Sequence, residues 1–413
     1  MVINLSNRLE NARILIYSHD TFGLGHLRRC RAIAHEIVER YKGVSVLIIS
    51  GSPVIGSFEF KARVDFIRIP GIIKLHNGEY TSLSLHIDLS ETLAIREAII
   101  RQTAKVFAPD LFIVDKEPLG LHGEVRNTLY DLKSLGVSTV LGLRDVLDDK
   151  ETLLDEWVEK QVFPNLDTLY DEIWIYGVRD FYQPLKGMPL ESSVSAKTVY
   201  TGYLQRLPES VAVGDVVHNS PYLLVTPGGG RDGRELVELV LSTYTQFSDL
   251  PYHAVVVLGP FMHADDRLDF HKWVEGMDNI TLLDFHPHME RLIVGSTGMI
   301  AMGGYNTFCE ILSFDKPALL FPRVRPRTEQ LIRCQRADEL GMLTMLDPDT
   351  ITVEQLGQYI ESFDTLPKPS SHFLPGMLEG MNTITQRMID LLPRERIRPI
   401  VSDAGQRPGP TIN

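Results

Sequence analysis

Cysteine is scarce in this sequence. Only Cys30, Cys309 and Cys334 occur, widely scattered. That argues against a disulfide framework, and the spacing matches no zinc site. Long apolar runs are missing too. No stretch approaches the roughly 20 residues that a membrane span needs. No basic start followed by an apolar segment marks an export signal. A basic excess is also absent, since 41 Lys and Arg stand against 54 Asp and Glu, a net charge of −13. A general nucleic-acid binder is normally basic, so that class ranks low. A protein of the reducing cytoplasm fits these absences, with peripheral attachment at the inner membrane face left open.

What is present is ample for folding. The chain has 413 residues, 44% of them apolar and 23% charged. That is a globular composition with room for two ordinary domains. Short β-branched runs alternate with helical patterns. Strands are expected at 14–17, 44–49, 66–69, 111–114 and 138–143, with helices at 26–40, 90–106 and 123–135. The polar residues 1–12 read as frayed. The alternation then restarts, with strands at 222–225, 253–257, 280–283, 298–301, 318–321 and 343–345. Helices fit 233–247, 267–276, 306–314 and 329–340, and a last one covers 377–392. Continuous apolar strands between helices indicate parallel sheets covered on both faces. The expected class is therefore α/β, with two Rossmann-like doubly wound domains facing a cleft. The domains span 1–205 and 221–375, joined by a linker at 206–220. A terminal helix (376–392) and a disordered tail (393–413), rich in Pro, Gly and Arg, complete the chain.

Glycine clusters mark where the two halves meet a ligand. "GLGHLR" (residues 23–28) follows the first strand. It lacks the third glycine of a dinucleotide fingerprint, and no acid ends the next strand, so a nicotinamide cofactor is disfavoured. No GK[ST] follows either cluster, which removes the Walker loop. Gly23 and Gly25 would satisfy a tight turn alone. His26 adds chemistry, because a helix start keeps imidazole neutral and able to take a proton. His19, Asp20 and Glu117 (in "VDKEPLG") are the rival bases. "TPGGGRDGRE" (226–235) exposes backbone N–H groups at a helix start, an anion site built on Gly228, Gly229 and Gly230 with Arg231 and Arg234 adding charge. "AMGGYNTFCE" (301–310) supplies Gly303 and Gly304. Asn306 or Thr307 is expected to cap the helix, and Glu310 sits one turn in, where it suits a vicinal diol. "FPRVRPRTEQ" (321–330) brings Arg323, Arg325 and Arg327 for an anion, then Glu329 and Gln330 for sugar hydroxyls. "FHPHMERL" (285–292) has two histidines at i, i+2, which do not face each other on a helix, so no metal site is expected.

These motifs, in this order, resemble GT-B glycosyltransferases of family 28, which holds the peptidoglycan lipid II N-acetylglucosaminyltransferase. "GLGH" resembles that family's N-terminal glycine loop, "TGYLQR" (201–206) its hinge segment and "PGGGRDG" (227–233) its phosphate-facing loop. "GGYNTFCE" (303–310) resembles its donor signature, with Glu310 at the ribose position. Glu329 and Gln330 match the pair near the donor sugar. The similarity is patchy over about 13–345 and strongest over 287–341. It departs from the lipid II enzyme at Tyr305 and Asn306, and 52–125 shows no match. It implies an inverting, metal-independent glycosyltransferase with a nucleotide-diphosphate sugar, a UDP-sugar by resemblance, as substrate rather than cofactor. The acceptor is unspecified, and a membrane-associated one is compatible. "GLGHLRRC" is also similar to the nucleotide-sugar hydrolases of nonulosonate synthesis, so hydrolysis or epimerisation on the same fold stays open, as does a nucleotide-binding protein without turnover.

Overall fold

The computed structural model describes residues 8–19, 25–74, 80–207 and 220–397. Strands β1 (Arg8–Ser18), β2 (Lys42–Ser50) and β3 (Val64–Arg68) open the first half. A small hairpin, β4 (Ile72–Lys74) and β5 (Tyr80–Ser82), follows. Then come β6 (Leu111–Asp115), β7 (Ser138–Arg144), β8 (Glu172–Tyr176) and β9 (Thr198–Tyr200). Apart from the hairpin they form one parallel sheet in the order β3-β2-β1-β6-β7-β8-β9. Helices α1 (Gly25–Arg40), α2 (Leu89–Phe107), α3 (Arg126–Ser134), α4 (Lys150–Glu159), α5 (Phe163–Leu169) and α6 (Ser192–Ala196) connect these strands.

The second half repeats the plan. Strands β10 (Tyr222–Thr226), β11 (His253–Val257), β12 (Ile280–Leu283), β13 (Gly298–Ala301), β14 (Ala318–Leu320) and β15 (Thr344–Met345) pair in the order β12-β11-β10-β13-β14-β15. Its helices are α7 (Arg234–Gln246), α8 (Ala264–Trp273), α9 (Met289–Gly295), α10 (Tyr305–Ser313), α11 (Glu329–Glu339) and α12 (Val353–Glu361). Every residue of β6, β8 and β10 is buried, as a sheet covered on both faces requires.

Each sheet has one place where the chain order reverses. In the first it lies between β1 and β6, in the second between β10 and β13. At such a point the loops leaving adjacent strands diverge and open a crevice at the carboxyl edge. The loops that follow β1, β6, β10 and β13 are the ones carrying "GLGH", "DKEP", "PGGG" and "GGYN".

The last helix, α13 (Gly380–Leu391), returns to the first half. Met381, Ile384 and Met388 recur on one helical face and are buried. Arg40 Nη1 donates to Thr385 Oγ1 at 2.8 Å, and Arg387 pairs with Glu172. One apolar core cluster consequently runs from α1 through Tyr203 to α10 and α13.

Three expectations are corrected. Residues 8–12 belong to β1 rather than a frayed end, because Leu9 and Ala12 are buried across a register shift in the β1–β2 pairing. The start of the expected disordered tail is ordered. Arg394–Arg396 form a helical turn, Arg396 Nε donates to Asp110 Oδ1 at 3.0 Å, and Ile397 bridges to Leu9. Residues 398–413 lie outside the described part, as do 208–219 of the linker. Finally, Gly304 rather than Asn306 or Thr307 caps α10, and it does so without a side-chain bond. Asn306 and Thr307 are already inside the helix.

Candidate active site

A cavity of about 380 Å³ lies between the halves. His26 faces it from the first turn of α1. Its Nδ1 lies 2.6 Å from Asp115 Oδ2, the last residue of β6, and Asp115 is only 1% exposed. Arg29, one turn further along α1, grips the same carboxylate through Nε and Nη2, both at 2.8 Å. Arg29 Nη2 also comes within 2.9 Å of His26 Nδ1. A guanidinium only donates, and the shorter contact is to the ionised carboxylate, so His26 Nδ1–H donates to Asp115. The lone pair is then left on Nε2, the one nitrogen free to meet a ligand. Burial pulls the imidazole pKa down to about 4 against the opposing pull of Asp115. Burial also works to raise the Asp115 carboxyl, but Arg29 and His26 overcome it and hold it at about 2. The site therefore pairs a neutral imidazole with an ionised carboxylate at pH 7.

The second half meets this dyad with two loops. Gly228 and Gly229 line the cavity after β10, and Gly304, Asn306 and Thr307 line it at the start of α10. Gly230 holds the first loop's shape. Its φ is 93°, and a Cβ there would lie 2.4 Å from the Leu258 carbonyl oxygen. Gly230 and Gly303 lie behind the cavity wall, and Arg231 is exposed. Arg234 turns away to Asp266 and Glu238. Asn306 spans the cleft by donating to the Gly25 carbonyl at 2.9 Å and accepting from Arg206 at 3.0 Å.

Glu329 and Gln330 line the same cavity at the start of α11. Arg323 Nη2 donates to Glu329 Oε1 at 2.5 Å, while Glu329 Oε2 is buried without a partner. Glu310 opens instead onto an adjoining cavity of about 210 Å³, shared with Thr307, His286 and His288. Arg28 crosses from α1 and binds Glu310 Oε1 at 2.5 Å. Burial raises the Glu310 carboxyl, and Arg28 opposes that rise.

Among the rival bases, Glu117 is tied to Lys116 at 3.2 Å and Lys160 at 3.0 Å. Burial acts to raise its carboxyl, but the two lysines and His19 drive it far below the usual range, so it is a weak base. His19 is buried 5.6 Å from the His26 ring, its Nδ1 without a partner, and burial lowers its pKa. Asp20 and Gly23 lie outside the described residues. Among the described residues, no group of three or more His, Cys, Asp or Glu side chains is placed to hold a metal ion. Among the same residues, no helix is long and apolar enough to cross a membrane.

Sequence reasoning missed Asp115, Arg28, Arg29 and Arg144. The signal for Asp115 was an acid closing an apolar strand, "LFIVD". It becomes meaningful only once β6 is known to lie beside β1.

Comparison with known proteins bears on the fold that carries this cleft. Residues 222–370 match the glycosyltransferase family 28 C-terminal domain. The chain is 24% identical over 362 residues to an uncharacterised glycosyltransferase of Methanosarcina mazei, covering 82% of this chain and 88% of that protein. Among solved structures, the glycosyltransferase of kitacinnamycin superposes with a TM-score of 0.63 at 13% identity, over 93% of this chain and 100% of the other. MurG of Acinetobacter baumannii gives 0.57 at 12%, over 92% and 99%. A UDP-N-acetylglucosamine 2-epimerase gives 0.59 at 14%, over 92% and 95%. The chain therefore has the GT-B fold, and fold and domain match together support a glycosyltransferase enzyme of the GT-B class.

Proposed function

We propose that this chain is an inverting, metal-independent glycosyltransferase that moves a sugar from a nucleotide-diphosphate donor, a UDP-sugar by resemblance, to a separate acceptor. The observation that carries the reading is the His26–Asp115 dyad facing two glycine-edged helix starts across one cleft. The diphosphate lies over Gly228, Gly229 and the start of α10, where N–H groups and the helix dipole stabilise the charge that develops on it. Glu310 takes the ribose, and Glu329 with Gln330 takes the sugar. His26 Nε2 removes the acceptor proton as the new bond forms, and Asp115 stabilises the imidazolium. His26→Ala should lower turnover about 10²-fold or more while leaving nucleotide binding nearly intact. Full activity in that variant would remove His26 as the base.

A second reading is hydrolysis or epimerisation of the same donor. It draws support from the similarity to an epimerase structure, and a water in place of the acceptor would use the same dyad. Incubation with a nucleotide sugar and no acceptor separates the two readings. Fast release of free or epimerised sugar would favour this one and reject transfer.

A further inference from the structure

Six arginine or lysine residues line the cleft against three glutamates. Five of the six are paired. Arg28 holds Glu310, Arg29 holds Asp115, Lys116 holds Glu117, Arg323 holds Asp232 and Glu329, and Arg327 holds Asp148 and Glu156. Arg144 is different. It closes β7, one strand from Asp115. Among the described residues its side chain makes no hydrogen bond or ion pair, and its Nε is buried without a partner although the residue as a whole is only half-buried.

A charged guanidinium in such a place is costly unless something compensates it. Burial, Arg333 and Arg29 all weaken its hold on the proton. Glu329 and Asp145 attract it, yet neither forms an ion pair with it. Glu329 Oε2 is itself buried without a partner. The cavity thus holds an unmet donor and an unmet acceptor that no protein group bridges. A hydroxyl would satisfy Glu329. A neutral hydroxyl would leave the charge of Arg144 uncompensated, whereas a carboxylate or phosphate would neutralise it and accept its paired N–H groups.

We propose that Arg144 is a specificity residue for an anionic group, a carboxylate or phosphate, carried on the sugar side of the cleft by the transferred sugar or by the acceptor. The inference rests on the donor reading given above and adds the charge of the substrate to it.

Calorimetric titration of the full chain tests it. UDP is titrated first, with GDP, CDP and dTDP beside it. The donor arm compares UDP-glucose with UDP-glucuronate, or the matched neutral and uronate sugars of whichever nucleotide binds. The acceptor arm titrates glucose, glucuronate and glucose 6-phosphate into the nucleotide-saturated protein. The anionic compound should bind at least tenfold tighter than its neutral counterpart in one arm, which identifies the source. Arg144→Ala should abolish that preference and leave the affinity for the nucleoside diphosphate within about threefold, and Arg144→Lys should keep part of the preference. Equal binding of neutral and anionic compounds in both arms, with the nucleotide still bound, overturns this inference alone. So does a preference that survives in Arg144→Ala. Failure of every nucleoside diphosphate to bind overturns the donor reading, and this inference with it. A stability readout adds an independent check. Arg144→Met should melt higher than wild type without ligand, because it removes an uncompensated charge, and a lower melting temperature would make Arg144 a structural residue.

Discussion

At His26 two opposing influences meet. Burial disfavours the imidazolium, and Asp115 favours it through a hydrogen bond and its charge. Burial wins, leaving the pKa at about 4. The base form is then lost only as pH falls through about 4. On the acid side, kcat/KM should stay level from pH 8 down to about 5 and fall below that. An acid limb centred near 6.5, the value of a free imidazole, would contradict this. Asp115→Asn removes the carboxylate that raises the imidazole pKa. It also offers Nδ1 an amide donor, which favours the wrong tautomer. Turnover in that variant should fall about 10²-fold or more with nucleotide affinity kept. Stopped-flow or steady-state rates across pH 3.5 to 8 check both outcomes.

At the level of elements, the strand-to-loop junctions were readable because local pattern determines them. An apolar run ends, glycine follows and a helical period begins, as at β10 to α7 and β13 to α10. The stretch between β7 and the hinge was not readable. Strand β8 begins with Glu172, which looks like a surface residue. It is buried because Trp174 Nε1 and Arg387, the latter 215 residues away, satisfy it. Helix α4 buries only Leu153 and Trp157, too faint a stripe to announce itself. The contact that couples the halves is equally non-local. Asp145, just past β7, accepts from Arg333 Nε at 2.8 Å and Nη2 at 2.6 Å, and from the Tyr203 hydroxyl at 2.8 Å. Both charged partners are essentially inaccessible to water. Asp145→Asn keeps the shape and removes the counter-charge, leaving the Arg333 guanidinium buried without an ionised partner. The expected loss is about 3–5 kcal/mol, visible as a lower urea midpoint. An unfolding free energy within about 0.5 kcal/mol of wild type would mean that water or another acid takes over from Asp145.

Over the whole molecule the charge is strongly negative, yet the cleft lining carries an excess of cations. That contrast draws an anionic ligand to the junction of the two sheets and makes its capture sensitive to salt. The halves are held together across that junction by Arg28–Glu310, Asn306–Gly25 and Asp145–Arg333. In the proposed donor mode a nucleoside diphosphate seated there takes Glu310 from Arg28, since the ribose diol and the guanidinium compete for one carboxylate. The released Arg28 stays beside the ligand and near Glu290, which it already approaches at 3.5 Å. Binding in that mode exchanges one interdomain ion pair for ligand bonds to both halves. A ligand that binds only the folded state stabilises it by about 2.7 kcal/mol at a hundredfold excess over Kd. The bound nucleotide should accordingly raise the melting temperature by a few degrees, and added chelator should leave the shift unchanged. Glu310→Ala should melt close to wild type without ligand, because Arg28 keeps Glu290, and should lose most of the nucleotide-induced shift. Thermal melts of the two proteins with and without UDP decide the matter. A full shift in Glu310→Ala would place the ribose elsewhere in the cleft.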